Sequence, residues 1–451
     1  MKKTAKNISV GLVSLGCAKN AVDLQVMAGT LRKAGFTLAP SPDDCDAVIV
    51  NTCGFIRSAC EEAVAEIGRA CELKRAGRVR AVVAAGCFVQ RYREDLRGLF
   101  PEVDAFAGID AVSGIAGIVR GALAHSAAGR SAAVPCSFGK GLPSGLFNPP
   151  EPALRFTGRA FAYLKIAEGC AHRCAYCAIP SIRGNCRSRR MADILREART
   201  LVATGVKELD IIAQDPLLWG RDLDRGRRGI TDLLRALDGI EGDFRTRLLY
   251  AYPSEVTDPL LEWMAESPRA LKYLDVPVQH TVPEVLKAMN RGAAVEATLG
   301  IAERARAAVP GVTLRTTVMT GFPGETEKRF ARMLEDLERM DFDYLGVFAF
   351  SPEEGTPAAA MKNRPPRKAA EERAAAIEAM QSRAWKKKAR AMKGAVKDAL
   401  VVAPGIARLE SQAPDVDGAT EFSGGSPAVG ETVRVRITGN RGYDFLAEIA
   451  K

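Results

Sequence analysis

Residues 168 to 177 read Glu-Gly-Cys-Ala-His-Arg-Cys-Ala-Tyr-Cys and set Cys170, Cys174 and Cys177 at spacings of four and three. Three thiolates so close on one loop can each bond a different iron of a cubane cluster, leaving a fourth iron open to a small molecule. With 11 Cys in 451 residues, chance supplies such a triple roughly 0.006 times per chain. A structural zinc loop is the competing reading, and it lacks a fourth ligand: Cys186 lies nine residues beyond Cys177, and His172 sits inside the loop. The stretch from Ala160 to Ile166, just before the loop, reads as a strand, so the motif sits where a strand ends.

Upstream, 1–125 read as alternating strands and helices. Val10 to Leu15, Ala47 to Val50 and Ala81 to Ala85 are strand-like, and each is followed by a segment with helical spacing. That order predicts an open parallel sheet with helices on both faces. The runs stop at Ser-Leu-Gly-Cys17, Asn-Thr-Cys53-Gly and Ala-Ala-Gly-Cys87. Strand ends of an open parallel sheet share one ligand-binding edge, so the three cysteines are expected to converge as a second cluster site. A buried thiol is the ordinary fate of any one of them. Three successive strands ending in Cys argue against three coincidences. Cys45, Cys60, Cys71, Cys136 and Cys186 form no such set and read as structural or incidental.

The stretch 126–157 is rich in Gly, Ser and Pro and reads as a linker. Six strand-then-helix units follow over 158–385, with strand candidates Ala160 to Ile166, Glu208 to Ala213, Arg247 to Ala251, Tyr273 to Val278, Leu314 to Met319 and Leu345 to Phe350. Parallel strands with helical crossovers curl into a barrel, and six units predict an incomplete one. Its mouth would be lined from the strand ends, by Gln214, Asp215, Tyr252, Asp275, Gln279, His280, Gly321 and Ser351. His280 reads as a satisfied structural histidine.

A basic, Ala-rich helix between Pro365 and Lys393 leads into 386–451, where Leu400 to Ala403, Thr432 to Thr438 and Tyr443 to Ile449 alternate between Gly-rich turns. This predicts a small antiparallel β-barrel, so the whole chain is α/β with three domains. From Ala399 onward there are five basic residues, Arg408, Arg434, Arg436, Arg441 and Lys451, against seven acidic ones, Glu410, Asp415, Asp417, Glu421, Glu431, Asp444 and Glu448. The ending is acidic inside a chain of net charge +10. That balance argues against phosphate binding by this module and for a basic protein partner.

No run approaches the roughly 20 apolar residues of a membrane span, and the basic start Met-Lys-Lys is followed by a strand with no small-residue cleavage site. A cytoplasmic, non-membrane protein with reduced thiols is expected.

The loop at Cys170, Cys174 and Cys177, with aromatic Tyr176 before its last Cys, resembles that of the radical S-adenosylmethionine enzymes. The resemblance implies that this cluster, with S-adenosylmethionine on its open iron, makes a 5′-deoxyadenosyl radical. It offers Gln214 and Gln279 for the ribose or methionine end of that cofactor, Gly321 for packing on the adenine, and the Tyr176 backbone for the adenine amino group. With Cys17, Cys53 and Cys87 and the terminal barrel, of the kind known as TRAM, the likeness extends over nearly the whole chain to the methylthiotransferases. Ser-Leu-Gly-Cys17-Ala-Lys-Asn-Ala-Val-Asp23, Asp-Val-Pro-Val-Gln-His, Phe350-Ser-Pro-Glu353-Glu354-Gly-Thr-Pro and Gln-Ala-Pro-Asp-Val-Asp-Gly resemble the branch that methylthiolates the β-carbon of an aspartate in small-subunit ribosomal protein twelve. Ala18 and Leu24-Gln25 depart from that branch, where Pro and Ser-Glu are usual. The resemblance implies two 4Fe-4S clusters, S-adenosylmethionine and a low-potential electron donor such as flavodoxin. A tRNA methylthiotransferase is the alternative within the family. A non-catalytic iron–sulfur electron carrier is the alternative outside it.

Overall fold

The computed structural model describes residues 8–128, 134–139, 141–146, 148 and 154–450. The basic start Met-Lys-Lys, most of the Pro-rich part of the expected linker, and Lys451 lie outside the described residues.

The first body is a six-stranded sheet, β1 (Ser9–Ser14), β2 (Thr37–Leu38), β3 (Cys45–Thr52), β4 (Val79–Gly86), β5 (Ala105–Ala107) and β6 (Cys136–Ser137), in the order β2-β1-β3-β4-β5-β6. Every pairing is parallel. Near-continuous apolar runs such as Ala47 to Val50 demand cover on both faces, and they have it. α1 (Ala18–Lys33) and α5 (Ile115–Ala128) bury Leu24, Met27, Leu31, Ile115 and Val119 on one face; α2 (Arg57–Arg75) buries Cys60, Ala63 and Ile67 on the other. Short helices α3 (Cys87–Tyr92) and α4 (Leu96–Leu99) follow β4. Strand β6 falls inside the expected linker: Cys136 pairs with Phe106 and extends the sheet by one edge strand. A two-residue strand in a Gly- and Ser-rich stretch has too little periodicity to be seen in sequence.

The second body opens with β7 (Phe161–Lys165) and continues through β10 (Glu208–Ile212), β11 (Arg245–Leu248), β12 (Ala270–Asp275), β13 (Thr313–Thr320) and β14 (Tyr344–Ala349), lying in the order β14-β13-β12-β11-β10-β7. All pairs are parallel and the sheet does not close, as six units predict. Between β7 and β10, α6 (Ile179–Arg183) follows the cysteine loop and α7 (Met191–Ala203) makes the first crossover. α8 (Ile230–Asp238), α9 (Asp258–Glu266), α10 (Pro283–Ala288), α11 (Val295–Ala308) and α12 (Glu327–Met340) complete the outer layer. The largest core lies between these helices and the convex face, around Leu164, Leu209, Leu248, Leu274 and Leu314. Two short strands, β8 (Ala167–Glu168) and β9 (Arg187–Ser188), pair antiparallel and pinch the loop of Cys170, Cys174 and Cys177 between them.

The third body is a closed barrel of β15 (Val396–Ala403), β16 (Ile406–Leu409), β17 (Thr420–Ser423), β18 (Thr432–Arg441) and β19 (Asp444–Ile449), reached through α13 (Arg367–Ala391). One of its pairs, β17 with β19, is parallel, so the barrel is not wholly antiparallel as expected. No helix among the described residues is long and apolar enough to cross a membrane.

The acidic character of this ending has a different use from the one expected. Glu410, Asp415 and Asp417 face the concave side of the central sheet. Asp415 accepts from the Tyr163 hydroxyl at 2.7 Å, Asp417 from Tyr273 and from Arg315 Nε at 3.1 Å, and Glu410 from the Lys272 N–H at 2.6 Å. Arg408 in turn donates to Glu208 at 3.1 Å. These three carboxylates dock the terminal barrel onto its own chain, while Glu431 and Glu448 stay exposed. Composition counts charges but cannot say which way they point.

Candidate functional site

Register brings the amino-terminal cysteines together. Thr52 pairs with Gly86, so Cys53 and Cys87 leave adjacent strands side by side, and Ser14 pairs with Asn51 next door. A Cβ on Gly16 would stand 2.7 Å from Cys53 Cβ, so the Cys17 turn rides directly on Cys53, with Gly16 at φ +88°. Cys17 caps the amino end of α1, and Cys87 opens α3. Asn20 holds the set: its amide donates to Leu15 O and Thr52 O at 3.2 and 2.9 Å, and its Oδ1 accepts from Cys87 Sγ at 3.4 Å.

The second triad is held as firmly. Cys170 N–H bonds Gly184 O at 3.1 Å, Cys177 N–H bonds Cys174 O at 3.0 Å, and Ala175 N–H bonds Met289 O at 2.9 Å. His172 is committed elsewhere, bonded to Asp215 at 2.6 Å and stacked on Tyr252. His280 is buried, with Val282 N–H on Nδ1 at 3.0 Å and Glu325 on Nε2 at 3.2 Å, a satisfied structural histidine as expected. The remaining cysteines pack singly: Cys60 meets the Tyr92 hydroxyl, Cys71 is core, Cys45 opens β3, Cys136 accepts from Arg97, and Cys186 flanks β9.

The two triads are joined. Ala178, the residue after Cys177, and Ile182 on α6 pack against Cys87 and Ile109. At the end of α6, Arg183 is fully buried and reaches both sides. Its Nε and Nη2 donate to Cys87 Sγ at 3.2 and 3.1 Å, Nη2 also to Asn20 Oδ1 at 2.5 Å and Asp23 at 3.0 Å, and Nη1 to Glu168 at 2.8 Å. Lys165 joins Asp23 to Glu168, bonding the latter at 2.9 Å, and Gln214 Nε2 donates to Glu168 at 3.0 Å. Burial would raise the Glu168 carboxyl, but Arg183 and Lys165 hold it well below the usual carboxylate range. Asp23 was visible in sequence as part of the Cys17 motif, three residues past Asn20 and therefore on the same helix face. Arg183, in Ser-Ile-Arg-Gly-Asn-Cys, gave no signal.

Burial pushes the Cys87, Cys170 and Cys177 thiols up to about 12, and raises Cys53 as well. Cys17 differs: its enclosure acts upward, but Lys19, Arg183 and the N–H groups of Asn20 and Lys19 bring it below the ordinary thiol value. No three Cys, His, Asp or Glu side chains among the described residues close around a single ion. A cubane asks for wider spacing, one thiolate per iron. The donor sets fit such clusters: soft sulfur ligands in threes, at strand ends, with an N–H donor already on one sulfur.

The positions expected to contact S-adenosylmethionine also carry marks of a site. Gln214 and Gln279 each leave a buried Oε1 without a partner. Gln279 is held at φ +67°, a left-handed conformation costly for a residue with a Cβ, just past the end of β12. Tyr176 stands edge-on to Phe322, just past the end of β13. Gly321 has a structural duty: its N–H bonds Glu325 at 2.9 Å, and a Cβ there would come 2.2 Å from Ala370 Cβ on α13. The ribosomal-branch residue Glu353 is likewise structural, accepting from Arg91 at 3.0 Å, Arg57 N–H at 2.9 Å and Ser351 at 2.7 Å, while Glu354 is exposed.

Residues 164–337 match the Radical SAM superfamily, 9–108 an uncharacterized protein family, UPF0004, and 398–450 the TRAM domain. Among solved structures, the radical S-adenosylmethionine methyltransferase TsrM from Kitasatospora setae, bound to cobalamin and a [4Fe-4S] cluster, aligns with TM-score 0.57 at 16% identity, covering 78% of this chain and 74% of that one. That likeness is one of fold. Among sequences, the ribosomal protein uS12 methylthiotransferase RimO of Syntrophus aciditrophicus (strain SB) is 40% identical over 98% of this chain and 99% of its own. The protein of that name from Desulforamulus reducens is 39% identical over 98% of this chain and 100% of its own. Identity of this depth, sustained from the first strand to the terminal barrel, means that the chain belongs to the family of ribosomal protein uS12 methylthiotransferases.

Proposed function

We propose that this radical S-adenosylmethionine enzyme transfers a methylthio group to the β-carbon of an aspartate in small-subunit ribosomal protein uS12, with Cys170, Cys174 and Cys177 holding one four-iron cluster and Cys17, Cys53 and Cys87 a second. The observation that carries this reading is the pair of cysteine triads at facing strand ends, joined through buried Arg183, in a chain 40% identical to named uS12 methylthiotransferases.

When bound, the cofactors supply a 5′-deoxyadenosyl radical on one side of the pocket and a methylated sulfur on the other. The chain has to bring acceptor, radical and sulfur together and keep water out. Arg183, Glu168, Lys165 and Asp23 fix the distance between the two cysteine loops, because Asp23 of the first body is bonded to Lys165 and Arg183 of the second, and Glu168 holds both cations in place. Gln214 and Gln279 offer their unpartnered Oε1 atoms to hydroxyl or ammonium groups of S-adenosylmethionine. With S-adenosylmethionine bound, the Tyr176 backbone and Gly321 would hold its adenine end. A low-potential donor such as flavodoxin supplies the electron, and the reaction takes place in the cytoplasm.

Mass spectrometry of uS12 and of tRNA nucleosides from a deletion strain tests the acceptor. Loss of an added methylthio group on uS12 alone is the expected result; loss on a tRNA adenosine instead would move the chain to the tRNA-modifying reading. Changing any one of the six ligands to Ala should abolish transfer. The Cys17, Cys53 and Cys87 variants should still cleave S-adenosylmethionine with dithionite, while retaining only about four irons per chain. If wild-type protein fails to cleave S-adenosylmethionine, the reading as an electron carrier replaces this one.

A further inference from the structure

Lys19 is the second residue of α1, two positions beyond Cys17, and is 8% exposed. A buried ammonium is expected to have a carboxylate or several acceptors around it. Among the described residues this one has neither a hydrogen bond nor an ion pair. Its Nζ lies 3.1 Å from the centroid of the Tyr250 ring. Tyr250 closes β11 at the mouth of the central sheet, held at φ +69°, with its N–H on Asp275 at 3.0 Å. Asp275 on that side is engaged elsewhere: Oδ2 takes that N–H, and Oδ1 takes Arg315 Nη1 at 3.2 Å. Asp23, one turn further along α1, is bonded to Lys165 and Arg183. The other buried cations near the two triads are bonded: Lys165 and Arg183 to Asp23 and Glu168, Arg315 to Asp275 and Asp417, and Arg291, which also lacks a carboxylate, to Pro277 O at 2.9 Å and against Cys174 Sγ.

Lys19 is thus a buried positive charge with no carboxylate bonded to it, reaching from the Cys17 loop to the strand ends of the opposite body. We infer that Lys19 is the specificity-determining residue that binds the acceptor side chain through its carboxylate, with Tyr250 as the aromatic wall that keeps the ammonium in place. This inference deepens the reading given under Proposed function and rests on it. The chemistry explains why a carboxylate is useful. In an aspartate the reacting β-carbon is bonded directly to the carboxyl carbon, so anchoring the anion places the reacting atom one bond away. In a site closed to water, a charge pair of this kind discriminates strongly against a neutral isostere, since the cation would otherwise stay buried and unpaired.

The test uses reconstituted holoenzyme, bound to S-adenosylmethionine, and two synthetic peptides spanning the acceptor region of uS12, one with the acceptor Asp and one with Asn in its place. Peptide dissociation constants are measured anaerobically for wild type, Lys19→Met and Lys19→Arg, together with iron content and the rate of 5′-deoxyadenosine formation without peptide. Wild type is expected to favour the Asp peptide by at least about tenfold. Lys19→Met should erase that preference while keeping both clusters and uncoupled cleavage, and Lys19→Arg should restore part of it. Equal Asp preference in wild type and Lys19→Met overturns the inference, as does loss of the amino-terminal cluster in Lys19→Met with no change in preference, which would make Lys19 a counter-ion for Cys17. If neither peptide binds wild-type holoenzyme and uS12 is not methylthiolated, it is the acceptor reading itself that fails.

Discussion

Gln214 and Gln279 illustrate how an expectation drawn from position in the chain acquires a physical reason only in three dimensions. In sequence they are two polar side chains after two strands, indistinguishable from loop polarity. In the fold each has a buried carbonyl oxygen with nothing to accept from, and Gln279 also bears a left-handed backbone. An unmade buried hydrogen bond and a strained dihedral both cost free energy, and sites that bind ligands are where such costs persist. Gln214→Leu and Gln279→Leu should each weaken S-adenosylmethionine binding by about tenfold, roughly 1.5 kcal/mol. Equilibrium binding to the reconstituted enzyme checks this, and Gln214→Leu should leave the Arg183 to Glu168 bond in place. Gly321 was assigned to the adenine in sequence, and the structure adds a second demand on it. Gly321→Ala should destabilise the fold by about 2 kcal/mol, from φ +74° and the clash with Ala370. The pair Gly321→Ala with Ala370→Gly should recover part of the loss in denaturant melts.

At the level of elements, the chain is held together by what leaves the ends of its strands. The loop after β14 sends Glu353 back to Arg91 on α3 and to the amino end of α2, and Arg91 also donates to Gly54 O at 2.9 Å, beside Cys53. Glu353 and Arg91 side chains are 6% and 8% exposed, so this is a buried pair. Glu353→Ala leaves Arg91 uncompensated and should cost about 3 to 5 kcal/mol. The expected signature is faster hydrogen exchange around Cys53, with the central sheet unchanged. The motif that resembles the ribosomal branch therefore contains a residue that braces the strand end at Cys53. The same element-scale reading explains why the antiparallel expectation for the terminal barrel was incomplete: β16 and β17 have only four residues each, too short to show alternation, and one of them makes the parallel pair.

For the molecule as a whole, the concave face of the central sheet matters most. A complete barrel fills its interior with its own side chains, but six strands leave the face open. Val22 from α1 and Ala413 from the terminal barrel pack there against Tyr163, Ile212, Leu249 and Tyr273. Beside them Glu208 receives Arg247 at 2.8 Å and Arg408 at 3.1 Å. Burial acts to raise the Glu208 carboxyl, and the two guanidinium groups outweigh it and hold it at about 2. Neighbouring Asp210 goes the other way, pushed up by burial and by the Glu208 charge. A depressed carboxylate contributes its full stabilisation above its unfolded pKa, about 4.3, and loses it as pH falls toward 2. Docking of the terminal barrel should therefore loosen between about pH 4.3 and 2. Hydrogen exchange over 406–412 in cluster-free protein would report it. Glu208→Gln should show the loosening already at pH 6.

The sequence by itself determined the parts whose cause is local. Spacing within one loop assembles Cys170, Cys174 and Cys177, and apolar runs ending in Cys17, Cys53 and Cys87 become neighbours because parallel strands share an edge. Six strand-helix units dictate an unclosed sheet. Only the tertiary structure decided which charges meet across bodies: Arg183 on Cys87, Asp417 on Arg315, and Lys19 over the Tyr250 ring with no carboxylate bonded to it. Those pairings span 96 residues of chain or more, and a buried charge is placed by the partners that surround it, which no local pattern records.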